Sequence, residues 1–556
     1  MPTRRSLVLY ACLLAGCGGP SYDVILRGGT VYDGSGAPGV VADVAIIADS
    51  IAAVGSLDGA RSRVVVDARG LAVAPGFINM LSWANVGLMI DGRSQSDIRQ
   101  GVTLEIFGEG SSMGPYTDAM VAEATARQDD FRYDITWRTL GGYLDTLVSR
   151  GVSTNVASFV GAATVRQYVL GHDPRPATAD ELSRMQGLVR EAMREGALGV
   201  GSSLIYEPGM FATTEELVAL AKAAAESGGM YISHIRNEND SLLDAVDEFI
   251  EIARASGARS EIYHLKAAGR ANWGRMDETI RRIEAARAAG IPVTADMYTY
   301  PASSTGLDAL MPGWVREGGF DKWRERLQDR AVRRRLLAEW NGKPGGAFAG
   351  PGGPEGVLLV DFRADSLRYL TGKTLKEVAA QRGTSPEETV MDLVVQDNSR
   401  VGCVYFTMTE ENLRKQVVLP WLSFGSDASS MAPEGIFLKS NPHPRAYGTF
   451  ARVFAKYVRD DRLLTVEEAV RKLTSLPADN LGLKRRGRLA AGYFADVVVF
   501  DPATISDHAT FDRPHQYATG VHHVFVNGTQ VLQDGEHTDA RPGRVVRGSG
   551  AESGRR

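Results

Sequence analysis

The 556-residue chain is short of cysteine, with Cys12, Cys17 and Cys403 only. Three thiols cannot make a disulfide framework, so stability has to come from a buried core. An excess of positive charge is missing too. The formal net charge is -5 and lysine and arginine form no basic stripe, which argues against nucleic acid as a partner. No apolar run approaches the roughly 20 residues that a membrane-spanning helix needs. Neither G-x-G-x-x-G nor P-loop spacing stands at the first two strand ends of the central region, which argues against nucleotide chemistry.

What is present reads as a large soluble protein. With 44% apolar and 23% charged residues, the chain suits a large α/β barrel with an added domain, or two to four smaller domains. Apolar runs at 76–82, 101–107, 154–159, 197–203, 230–234, 261–264, 292–297 and 422–426 alternate with helical patterns. Eight such units favour a (β/α)₈ barrel of the TIM type over 75–486, with its active site on the C-terminal face; a doubly wound sheet is the alternative. Short strands at 17–74 and again at 487–548 are most simply one small β domain built from both termini. The interval of about 306–400 is too long for a single crossover and is expected as an insertion, either a lid or a decoration. Residues 549–556 are expected to be a flexible tail.

The densest chemistry lies between Met230 and Lys266. Residues 230–234 form an apolar strand ending in His234, residues 241–255 repeat apolar side chains at a helical period, and a second strand ends at His264. Two histidines at the ends of successive parallel strands about 4.8 Å apart can meet on one ion. That is a metal half-site.

The N-terminus carries Arg4 and Arg5, an apolar stretch from Leu7 to Ala15, and Leu14-Ala15-Gly16-Cys17. A basic start, a short apolar core and small residues before a cleavage point form an export signal over 1–16. It resembles a bacterial lipobox, which implies lipid-modified Cys17 as the first residue of an exported cell-envelope lipoprotein, held to a membrane by that lipid.

Along most of the remaining chain the motifs resemble the amidohydrolase superfamily, in its N-acyl-D-amino-acid deacylase branch. They include Gly28-Gly29-Thr30-Val31-Tyr32-Asp33-Gly34, Ala74-Pro75-Gly76-Phe77-Ile78, Ser233-His234-Ile235-Arg236, His264-Leu265-Lys266, Gly425-Ser426-Asp427 and Pro442-His443-Pro444-Arg445. The resemblance implies a (β/α)₈ barrel flanked by a β-sandwich, and zinc-dependent hydrolysis of the amide linking an acyl group to a D-amino acid.

Two departures bear on the metal. Where that branch has two histidines after its first strand, this chain has Leu81 and Trp83, neither of which can coordinate zinc. The loop after the second strand, Phe107-Gly108-Glu109-Gly110, lacks the usual cysteine and offers Glu109 instead. No lysine ends the fourth strand to become a bridging carbamate. The resemblance therefore implies one zinc per chain on Glu109, His234 and His264, an ordinary His₂Glu shell with an open position. It also implies Asp427 as the group that moves the catalytic proton, and Arg445, Lys266, Tyr298 and Ser304 as substrate-binding residues around a small molecule with a free carboxylate. A zinc dipeptidase, a cyclic-amide hydrolase and a binding lipoprotein that has lost its metal are the alternatives. Nothing in the sequence sets an oligomeric state.

Overall fold

The computed structural model describes residues 21–551. The export signal and Cys17 lie outside them, and among the described residues no helix is long and apolar enough to cross a membrane.

Eight parallel strands form the central barrel: β1 (Phe77–Asn79), β2 (Val102–Phe107), β3 (Asn155–Ser158), β4 (Gly199–Ser203), β5 (Met230–His234), β6 (Ser260–Ile262), β7 (Val293–Met297) and β8 (Leu422–Phe424). β1 to β3 pair in order, and the short continuation of β3 at Val160–Gly161 pairs with β4. β4 to β8 continue the ladder. Backbone bonds from Met80 N to Phe424 O (3.3 Å) and from Asp427 N to Leu81 O (2.8 Å), with a bridge between Ser82 and Ala428, join β8 to β1. Apart from the half-buried Thr294, every residue of these strands is buried, because helices cover the outer face of the barrel. The helix Leu242–Ser256 connects β5 to β6 and buries Leu242, Ala245, Val246, Phe249, Ile252 and Ala253, the face that the helical period of the sequence marks.

A nine-stranded sheet beside the barrel is drawn from both ends of the chain. Its two halves meet where Ala72–Pro75 pairs antiparallel with Val497–Phe500. One face of it packs Leu26, Val44, Ile46, Val73, Val497, Val499 and Phe525 into a small core of their own. Downstream, residues 541–551 run along the barrel: Val156 N donates to Arg544 O (3.0 Å) and Ser549 Oγ to Ser227 O (2.7 Å). The tail expected to be flexible from residue 549 is thus bound as far as Ala551.

The insertion has a separate core, including Trp323, Leu336, Trp340, Phe362, Val390 and Leu393. Its entry strand, Ser303–Gly306, and exit strand, Gly402–Tyr405, pair antiparallel, and Val357–Asp361 joins from the other side. Its first half carries the helices Phe320–Arg326 and Arg330–Asn341. Asp329 starts the second one as its N-cap, accepting from Ala331 N and Val332 N.

One ionic knot joins the barrel loops beneath this insertion. His172 Nδ1 lies 2.8 Å from Glu207 and Nε2 lies 3.1 Å from Glu123, which also meets Arg127 at 3.2 Å. Hydrogen bonds that the ring donates to Glu123 and then to Glu207 push the imidazole up to about 10. A folded-state value above the unfolded one, about 6.5, stabilises the fold fully below about pH 6.5 and loses that contribution as pH rises through about 10. His172→Gln should therefore lower the urea unfolding midpoint most at pH 6, with the deficit against wild type shrinking toward pH 10; an equal deficit at both ends would refute the linkage.

Candidate metal centre

The site lies in the barrel mouth and is built from strand ends. Glu109 follows β2 in a tight loop between Gly108 (φ 107°) and Gly110 (φ 70°), both in the left-handed region that favours glycine. Space demands the same residues. A Cβ on Gly108 would stand 2.4 Å from Phe159 O and one on Gly110 2.4 Å from Ser203 Cβ. The loop thereby turns Glu109 inward, where it is 5% exposed.

Glu109 Oε1 lies 2.9 Å from His234 Nδ1 and 3.0 Å from His264 Nε2. These three residues offer ligand atoms that all lie within 4.8 Å of one another. Burial pushes the Glu109 carboxyl up, but the charges and hydrogen bonds of His264 and His234 more than reverse it and hold it below the ordinary carboxylate range. The outer nitrogens of both rings face a single carboxylate: His264 Nδ1 is 3.2 Å from Glu238 Oε1, and His234 Nε2 is 3.6 Å from Glu238 Oε2. His234 Nε2 is buried without a hydrogen bond. A carboxylate at the outer nitrogen of a metal-binding imidazole fixes ring orientation, and Glu238 stands in that place for His264 while lying farther from His234. The donor set and its backing fit one divalent ion of the zinc type.

His264 has φ 36° and Asp427 φ 49°, a left-handed conformation that costs a non-glycine residue free energy and collects at functional sites. Backbone bonds hold both in place. His264 N donates to Asp296 Oδ1 (2.7 Å) and Asp427 N donates to Leu81 O. β6 ends at Ile262, and past the turn Lys266 Nζ comes within 2.7 Å of His264 Nδ1 and 2.5 Å of Glu238.

Across the mouth, Asp427 Oδ2 is 2.7 Å from Arg445 Nη1, and Trp83 Nε1 lies 3.1 Å from Asp427 Oδ1 and 3.0 Å from Glu109 Oε2. Burial raises the Asp427 carboxyl, and Arg445 only partly offsets it. Arg445, the first residue of helix Arg445–Arg452, is 4% exposed and its Nε has no partner. His443 accepts from Arg445 N at 3.1 Å and contacts Ala302 O at 3.0 Å, which places it as a brace for that helix start.

Trp83, Glu109, His234, Glu238, His264, Lys266, Tyr298, Ser304, Asp427 and Arg445 all line one cavity of about 500 Å³. Tyr298 packs its ring under the Arg445 guanidinium at 4.5 Å, with its hydroxyl 3.3 Å from Met408 Sδ. Ser304 donates to Cys403 O at 3.0 Å, so its hydroxyl proton is engaged by the insertion strand. Tyr206, Glu207, Ser304, Thr305 and Arg400 also line an outer cavity of about 670 Å³. The structure thus brings together every site residue expected between Glu109 and Arg445. It adds Glu238, Tyr206 and Asp296, and gives Trp83 a hydrogen-bonding part in place of a mere lost ligand. Glu238, Trp83 and Asp296 carried no signal for these roles outside the three-dimensional arrangement.

A barrel with a His₂Glu cluster and a half-buried aspartate at its mouth defines a metal-dependent hydrolase. An amidohydrolase family model matches residues 64–532. Over 529 residues the chain is 36% identical to a D-aminoacylase of Alcaligenes xylosoxydans xylosoxydans, covering 94% of this chain and 97% of that one. A solved N-acyl-D-glutamate deacylase from Bordetella bronchiseptica, complexed with zinc and a phosphonate mimic of the tetrahedral intermediate, is 32% identical. It superposes with a TM-score of 0.79, covering 95% and 100% of the two chains. A solved D-aminoacylase described through its binuclear metal centre is 34% identical, with a TM-score of 0.78 over 94% and 99%. The chain belongs to the amidohydrolase family and is an enzyme of it.

Gly110→Ala should force Glu109 out of register: the new Cβ meets Ser203 in a strained backbone, costing about 1–3 kcal/mol. Thermal unfolding should fall accordingly and bound zinc should drop below the wild-type level.

Proposed function

We propose that this chain is a one-zinc hydrolase cleaving the amide bond of N-acyl-D-amino acids or D-residue-containing dipeptides. The observation that carries the reading is the convergence of Glu109, His234 and His264 beside Asp427 in one buried mouth. Glu109, His234 and His264 would hold the ion, which when bound supplies Lewis acidity toward a carbonyl and acidifies a water.

Asp427 takes the proton of the attacking water and returns it to the leaving nitrogen. Its raised carboxyl suits that exchange, because a base nearer neutrality can also give the proton back. The unpartnered Arg445 Nε is a buried donor facing the need for an acceptor, and a planar guanidinium suits a substrate carboxylate. Lys266 adds positive charge at the same wall while Glu238 holds it. The outer cavity gives space for acyl groups larger than acetyl.

One metal rather than two is supported by the side chains themselves. The solved D-aminoacylase is described with one-metal activation and second-metal attenuation, whereas here Leu81 is an alkyl group and Trp83 can only donate. Glu238 backs both rings of the remaining site and no second cluster of metal-type ligands occurs among the described residues.

We place the enzyme outside the cytoplasm on a lipid-modified Cys17, on the strength of the leader and lipobox residues. Cys17→Ala should leave the membrane fraction on cell fractionation; retention there would sink the anchor.

Metal content by plasma emission should give about one zinc per chain, lost in Glu109→Ala and His264→Ala. Asp427→Asn should keep zinc and lose turnover by a factor on the order of 10²–10⁴. Arg445→Ala should act mainly on KM. No zinc after reconstitution, or equal turnover of L substrates, would overturn the reading.

A further inference from the structure

Trp83 is built into the site as firmly as any ligand. Trp83 N donates to Ala428 O at 2.9 Å, and Asp427 N to Leu81 O at 2.8 Å, so the end of β1 and the end of β8 are laced together around the indole. The ring is half-buried and lines the inner cavity. Its single N–H stands between two carboxylates, 3.0 Å from Glu109 Oε2 and 3.1 Å from Asp427 Oδ1. Two acids facing one another in a buried mouth repel, and left alone they would turn apart or share a proton. A cation between them would cancel the repulsion but add a second charge to the site. An indole N–H does it without charge, as a donor that can neither lose its proton at working pH nor bind a metal.

The other oxygen of each acid has a different task. Glu109 Oε1 faces the two histidines, and Asp427 Oδ2 faces Arg445. The division of labour depends on neither carboxylate rotating, and the shared donor is what opposes rotation of both at once.

We propose that Trp83 is a positioning residue: its indole N–H clamps the proton-transferring Asp427 to the metal-holding Glu109, in place of an ion bridging the two acids. This rests on the one-zinc hydrolase reading for its catalytic consequence, though not for the clamp itself.

The test removes the N–H and keeps a ring. Trp83→Phe should retain zinc and leave KM within about twofold, while kcat falls about ten- to a hundredfold, the range seen when a partner orienting a site residue is lost. A second readout does not involve turnover. In ¹⁵N-labelled full-length protein, the Trp83 indole resonance, assigned by its absence from Trp83→Phe, should lie downfield in wild type and move upfield in both Asp427→Asn and Glu109→Gln. A kcat within twofold of wild type in a folded, zinc-loaded Trp83→Phe would overturn the proposal, as would an indole resonance indifferent to both acids. If the resonance responds to both acids but wild type holds no zinc and cleaves no N-acyl-D-amino acid, the clamp stands and the functional reading falls.

Discussion

The structure depends on a carboxylate held at the focus of two imidazoles. Burying Glu109 is costly unless cations or hydrogen-bond donors meet it, and His234 and His264 do so from adjacent strand ends. Much else in the mouth serves that meeting. Two left-handed glycines turn Glu109 inward, Asp296 receives the amide of His264, and Glu238 stands behind both rings. Glu109, both histidines and Asp296 are buried and Glu238 is partly so, and an unpaired buried group carries a desolvation penalty. The hydrogen bonds of Glu109 with both imidazoles and of the His264 amide with Asp296 are what make the cluster hold one geometry.

The barrel and its insertion divide the work of making a pocket. The barrel supplies rigid strand ends, which fix ligands and the Asp427 carboxylate. The insertion returns to the barrel through Ser303–Gly306 and Gly402–Tyr405, which pair with each other. Ser304, Thr305 and Arg400 consequently reach the rim between the inner and outer cavities. Because the insertion carries its own apolar core, it can vary in shape without disturbing the metal ligands. Such an arrangement suits a family in which one reaction is applied to different substrates.

Two residues show how a loss can be recast. Leu81 and Trp83 stand where the resemblance leads one to expect histidines, and as sequence they subtract a metal site. In the fold, Leu81 is fully buried and its carbonyl accepts from Asp427 N, while Trp83 contributes a donor to both acids. Ser304 shows the reverse. Its place at the rim follows from sequence likeness, but its hydroxyl is committed to Cys403 O.

By itself the sequence determined the alternation of apolar runs and helical faces, and so a parallel α/β architecture with the barrel favoured over a doubly wound sheet, because burial on both sides of a strand leaves a pattern in consecutive residues. It also determined the pairing of His234 with His264, since adjacent parallel strands put equivalent ends together. Glu109 and Asp427 were reached through resemblance, which carries position but not contacts. Only the tertiary structure decided that Glu238 backs both imidazoles, that Arg445 faces Asp427 while keeping a free Nε, and that one indole N–H joins two acids from opposite ends of the barrel sequence. Those contacts arise where strand ends and loops converge across the barrel mouth, and side-chain direction there is set by left-handed turns and close glycine contacts, which no periodicity along the chain encodes.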